Sequence, residues 1–158
     1  MITETTYYLT KEGLERIKKE QERLLEFKKA KIRGEVPSAL YSEETNPEYL
    51  AFQEDLSLLE VRLSEYAVIL KNSKLITPPS TKERKQVCLG AKVTILVDGK
   101  DIDEFEVVGT LEANPSLGKI SNESPVGKAL LGRMAGEKVS VSSPTETVFT
   151  IQKIQYRL

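Results

Sequence analysis

The chain has 158 residues, room for one ordinary domain or two small ones. It is 39% hydrophobic and 30% charged with a formal net charge of −1, the balance of a soluble globular protein. No apolar run reaches the roughly 20 residues that a membrane span needs, so no membrane association is expected. Cys88 is the only cysteine, which excludes an internal disulfide and fits a cytoplasmic setting, and the first residues lack the pattern of a secretory signal. There is no histidine, so the commonest general base and zinc ligand are missing. Any chemistry must rest on carboxylates, amines or hydroxyls.

Thr10 is a helix cap whose hydroxyl can accept from a free N–H of the first turn. Three residues on stands Gly13, not the Glu or Gln of a full capping box. Leu14, Ile17, Gln21, Leu24, Lys28 and Lys31 then recur at steps of three and four, apolar at first and polar beyond Leu24. Leu25, Phe27 and Ile32 flank that seam and extend its packing. The spacing predicts a helix over about 11–35, ended by Pro37, which removes a donor and disfavours helix just before it.

Between this helix and the next, the stretch from Tyr41 to Tyr49 carries the adjacent carboxylates Glu43 and Glu44 where the chain must reverse. Asn46-Pro47-Glu48 is a helix start: Asn caps, Pro fits the first position and Glu faces the positive end of the dipole. Phe52, Leu56, Leu59, Leu63, Tyr66 and Leu70 form an unbroken heptad seam, widened by Val61, Val68 and Ile69, which predicts a helix over about 47–71. Residues 11–33 hold nine basic side chains against five glutamates, and residues 35–65 hold eight acids against Arg62 alone. Two such helices pair with complementary charge as an antiparallel hairpin, each arm about 40 Å long.

Thr77-Pro-Pro-Ser-Thr-Lys-Glu-Arg-Lys reads as an interdomain linker. Beyond it the period becomes two. Val93, Ile95 and Val97 form a strand, Asp98-Gly99 a hairpin turn, and Phe105 to Val108 a second strand. Ile120 lies in a short strand. Ser124 caps, and Pro125 opens, a short helix over Val126 to Leu131. Val139 and Val141 mark a third strand, and Val148 to Tyr156 the last. The fold class is therefore α+β. A helical hairpin occupies residues 1–76 with its tip at about 37–47, a linker 77–86, and a small, mostly antiparallel β domain with one short helix 87–158.

Val107-Val-Gly-Thr-Leu-Glu-Ala, Ile120-Ser-Asn-Glu-Ser-Pro-Val-Gly-Lys-Ala-Leu-Leu-Gly-Arg and Gly136-Glu-Lys-Val resemble the C-terminal domain of the Gre transcript-cleavage factors, and Leu9-Thr-Lys-Glu-Gly and Asn46-Pro-Glu-Tyr resemble their helix starts. The resemblance implies an N-terminal coiled-coil hairpin and a C-terminal domain similar to FK506-binding proteins (FKBP-like). It implies RNA polymerase as partner: the C-terminal domain grips the rim of the secondary channel, and the hairpin passes down it. The protein would not be an enzyme alone. It would stimulate the polymerase's own cleavage of backtracked RNA, with tip carboxylates helping to hold Mg2+ shared with the polymerase active site and no cofactor bound alone. Glu43 and Glu44 are the candidate catalytic and metal-holding pair, although Ser42 and Thr45 stand where the family's tip carries Asp and Glu. Glu123, Ser124 and Pro125 match its polymerase-docking loop. Lys28, Lys29, Lys31 and Arg33 are placed to steer the RNA 3′ end. A monomer is expected.

Plainer readings stand beside each of these. Glu43 and Glu44 can be solvated turn residues, Ser124 and Pro125 a simple helix cap, and the four basic residues salt-bridge partners of the acidic second helix. Two other functions remain open: a channel-binding factor that does not promote cleavage and competes with Gre factors, and a peptidyl-prolyl isomerase, prompted only by the implied C-terminal fold.

Overall fold

A computed structural model of the chain describes residues 5–34, 47–142 and 145–157. The chain folds as two compact units, one spanning Leu14–Asn72 and the other joining the described residues up to Gly13 with those from Ser73 onward. The sequence places a domain boundary at 76/77; the units part at Gly13/Leu14 and Asn72/Ser73.

The first unit is a helix pair. α1 covers Lys11–Arg33 and α2 covers Pro47–Lys71. Shielded side chains recur along α1 at Leu14, Ile17, Gln21, Leu24, Lys28 and Lys31, and along α2 at Phe52, Leu56, Leu59, Leu63, Tyr66 and Leu70. These are the two heptad seams, and Leu24 and Leu59 are their most buried members. Lys28 Nζ lies 3.5 Å from Glu60 Oε1, and Lys31 Nζ 3.2 Å from Asp55 Oδ2. Numbers rise along one helix as they fall along the other, so the pair is antiparallel. Leu25, Phe27 and Ile32 do not extend the packing, nor do Val61 and Val68; all five are exposed. A two-helix seam is narrow, and positions beside it lie out of the partner's reach. α1 ends at Arg33, and Gly34 follows in a bend with its N–H still bonded to the Ala30 carbonyl at 2.9 Å.

The second unit is built on a five-stranded sheet. Its strands are β3 (Ala91–Val97), β4 (Asp101–Val108), β5 (Lys119–Ser121), β6 (Lys138–Val141) and β7 (Thr147–Tyr156). Their order is β5-β4-β3-β7-β6, antiparallel except for the β4–β5 pair. The alternation read from the sequence is the burial pattern: Ala91, Val93 and Ile95 are fully buried, while Lys92 points outward. Asp98 (φ 50°) and Gly99 (φ 69°) both take the left-handed conformation that a tight hairpin turn requires. The Asp98 carboxylate also accepts from the Val148 N–H at 2.9 Å, tying the turn to β7. Inward side chains from four strands meet Val87 and Leu130 in one core, where the Phe105 and Phe149 rings pack edge to face. The linker stretch contains a 3-10 turn at Glu83–Lys85.

Two short parallel strands, β1 (Tyr7–Leu9) and β2 (Ser73–Leu75), belong to this unit and leave no signal in the sequence. Leu9 is fully buried. Gly109 admits the β1 backbone: a Cβ there would fall 2.0 Å from the Tyr8 carbonyl oxygen.

Thr10 caps α1, accepting from the Gly13 N–H at 3.0 Å. The other half of the capping box comes from far along the chain. Glu112 accepts from the Thr10 N–H at 2.7 Å and from the Thr10 hydroxyl at 2.5 Å. Its carboxylate fills the space a side chain at position 13 would take: a Cβ on Gly13 would meet Glu112 Oε1 at 2.2 Å. Gly13 is thus the counterpart of a distant Glu, which is why the local signal is incomplete.

A candidate docking turn at the start of the short helix

The β4–β5 pairing sets Ser121 beside Val108. The chain leaves β4 through Gly109 into a 3-10 turn at Thr110–Glu112, so Thr110 comes to lie against Ser121, with their hydroxyls 3.0 Å apart. Beyond β5 the chain turns sharply, and the Ser124 N–H donates to the Ser121 carbonyl at 3.1 Å. α3 (Pro125–Leu130) starts there. Ser124 caps it, accepting from the Gly127 N–H at 3.1 Å and donating its own hydroxyl to the Ser121 carbonyl at 2.6 Å. Pro125 takes a first-turn position where its missing N–H costs nothing. Gly127 must lack a side chain, since a Cβ would lie 2.0 Å from the Ser121 carbonyl oxygen.

Glu123 projects from this turn. It is exposed, its N–H donates to Ser121 Oγ at 3.1 Å, and its Oε2 accepts from Thr110 Oγ1 at 3.0 Å. A cleft of about 120 Å³ lies alongside, lined by Tyr7, Tyr8, Thr110, Leu111 and Asn122 among others. The three residues picked out by resemblance, Glu123, Ser124 and Pro125, therefore form one rigid turn. The cap is present as the plainer reading has it, and it leaves the Glu123 side chain facing solvent.

Sequence reasoning passed over Thr110 and Ser121. Ser121 carries a local signal, because a serine in a turn commonly takes the N–H two residues on. Thr110 carries none; only strand pairing brings it there.

The four basic residues separate. Lys28 and Lys31 lie in the helix seam and pair with Glu60 and Asp55, and Lys31 Nζ also sits 5.3 Å from the Phe52 ring centroid. Lys29 reaches Glu26 at 3.7 Å on its own helix. Arg33, exposed in the last turn of α1, has no partner among the described residues. Glu43, Glu44, Ser42, Thr45, Tyr41 and Pro37 lie outside the described residues. Among those described, no group of three or more Cys, Asp or Glu could hold a metal ion, and no helix is long and apolar enough to cross a membrane.

Residues 81–156 match the family described as "Transcription elongation factor, GreA/GreB, C-term". Transcription elongation factor GreA of Thermomicrobium roseum is 39% identical over 142 residues, covering 89% of this chain and 90% of that one. The GreA of a Roseiflexus species is 37% identical over 152 residues, covering 94% and 96%. Among solved structures, GreA factor homolog 1 of Thermus thermophilus aligns with a TM-score of 0.42 at 25% identity, over 96% of this chain and 99% of that one. With identity this high across nearly the full length of both partners, the chain belongs to the GreA/GreB family of transcription elongation factors.

Proposed function

We propose that this elongation factor works by binding RNA polymerase at the rim of its secondary channel through Glu123, Ser124 and Pro125, and by carrying Glu43 and Glu44 down that channel to the active site. There the two carboxylates help hold Mg2+ and promote cleavage of the 3′ end of backtracked RNA by the polymerase itself. It acts as a cytoplasmic monomer.

The observation that carries this reading is the antiparallel helix pair. The Lys31–Asp55 ion pair sets the last turns of α1 beside the ninth residue of α2, and in the sequence the stretch bearing Glu43 and Glu44 lies between the two helices. α1 alone is about 34 Å long at about 1.5 Å per residue, a reach that suits entry into a deep, narrow channel. The donor set fits the ion: Mg2+ takes carboxylate oxygen and water, and two carboxylates leave the remaining positions to the polymerase and solvent. Bound there, the ion would supply charge stabilisation to the attacking and leaving oxygens of phosphodiester hydrolysis. This chain's own contribution is to bring the carboxylates and hold them, and of the four basic residues Arg33 has no ion-pair partner among the described residues, which leaves its charge for an RNA phosphate.

The test is a purified backtracked elongation complex with Mg2+. Added protein shortens the RNA, and Glu43→Ala with Glu44→Ala abolishes the shortening while binding to polymerase is kept. A second reading has one feature in its favour: Ser42 and Thr45 occupy the places where the resemblance puts acids. On that reading the factor occupies the channel without promoting cleavage and competes with factors that do, and binding without shortening decides for it.

A further inference from the structure

We infer that Thr110 and Ser121 are positioning residues for docking: together they form a hydrogen-bond relay that fixes the Glu123 carboxylate for a cationic donor on the partner. This rests on the proposed role of Glu123 in binding polymerase. The proton inventory permits only one direction. The Glu123 N–H donates to Ser121 Oγ at 3.1 Å. Ser121 Oγ and Thr110 Oγ1 are 3.0 Å apart, and Thr110 Oγ1 donates its single proton to Glu123 Oε2 at 3.0 Å. Ser121 must therefore donate to Thr110, since each hydroxyl has one proton to give. The relay starts at the backbone of Glu123 and returns to its side chain, closing a ring that holds the carboxylate in one orientation against its own main chain. Each link polarises the next, and the last acceptor is charged.

The two ends of the relay are anchored. Ser121 is set by strand pairing with Val108 and by the Asn122 N–H bonded to the Val108 carbonyl at 2.9 Å. Thr110 opens a 3-10 turn directly after Gly109, which is packed against β1. An exposed glutamate otherwise samples several rotamers and gives up that freedom on binding. Here the folded turn has already removed it. Glu123 Oε1 has no partner among the described residues, so it remains open to an N–H donor, and an anionic acceptor held rigidly selects a guanidinium or ammonium group.

The experiment measures affinity of the full chain, labelled at an introduced surface site, for purified RNA polymerase at two salt concentrations. Thr110→Val keeps the shape and removes the hydroxyl; it weakens binding about threefold to tenfold, the cost of re-ordering one long side chain. Thr110→Ser keeps wild-type affinity. Ser121→Ala weakens binding like Thr110→Val, a second route to the same break. Glu123→Ala weakens it more and flattens the salt dependence, and adding Thr110→Val to Glu123→Ala costs nothing further. Full affinity for Thr110→Val beside a weakened Glu123→Ala overturns the positioning role and leaves the docking reading standing. An additive loss in the double variant also overturns it, because Thr110 would then act by another path. Wild-type affinity for Glu123→Ala removes the docking reading and this role together.

Discussion

Replacing Glu112 with Ala should destabilise the unit that contains it by about 2 kcal/mol. The carboxylate accepts from both the N–H and the hydroxyl of Thr10, at 2.7 and 2.5 Å. A hydrogen bond to a charged group contributes about 1.5–3 kcal/mol, and the Thr10 N–H left behind is partly buried with no replacement. The two bonds share one carboxylate, which keeps the sum near the lower middle of that range. At about 4–8 °C per kcal/mol for a domain of this size, the melting transition followed by circular dichroism should fall by about 10 °C.

The structure also specifies a rescue. Glu placed at position 13 in the Glu112→Ala protein completes a local capping box with Thr10, and it improves on Gly in a helix by roughly 0.5–1 kcal/mol. Gly13→Glu should restore most of the lost stability in that background. In the wild-type protein it should restore nothing, because its Cβ falls 2.2 Å from Glu112 Oε1 and two carboxylates then compete for one cap. Stability of Glu112→Ala within about 0.5 kcal/mol of wild type would refute the reasoning, as would a Gly13→Glu effect that is the same in both backgrounds.

Tyr156→Phe should cost about 1–2 kcal/mol in chemical denaturation, since the hydroxyl donates to the Gln86 carbonyl at 2.5 Å and accepts from the Cys88 N–H at 2.9 Å. Burial pushes the Tyr156 hydroxyl up to about 12 from 10.0, so the folded state holds its proton longer than the unfolded state does. Stability from this group is then fully present below pH 10 and is lost as pH rises toward 12; Tyr156→Phe should lose that part of the alkaline dependence, read from melting curves between pH 9 and about 11. Lys31→Ala should lower the stability of the helix pair by about 0.5–1 kcal/mol through the loss of the Asp55 pair and the Phe52 contact. Arg33→Ala should leave melting unchanged and weaken RNA shortening in the backtracked complex; equal effects of the two changes on melting would count against their separation.

The sequence by itself determined the periodic parts. Two heptad seams are legible in spacing alone, and each of their positions on α1 and α2 is shielded. The same holds for the alternating strand at Val93 and Ile95, the Asp98-Gly99 turn and the Ser124-Pro125 helix start. Each is encoded by residues within a few positions of one another, where helical or strand geometry makes spacing equivalent to direction. The resemblance, carried by contiguous runs of residues, supplied the family in the same local way.

Tertiary structure decided what depends on residues far apart. β1 and β2 are three residues each, too short to show a period, and exist because residues 7–9 and 73–75 meet. The α1 cap looks incomplete because half of it comes from Glu112, 102 positions away. Thr110 reaches Glu123 only through the register of β4 and β5. Among the basic residues, Lys28 and Lys31 differ from Arg33 because seam positions bring the acids of α2 within reach. A pattern of spacing fixes which way a side chain points; a second segment, brought close by folding, fixes what it meets.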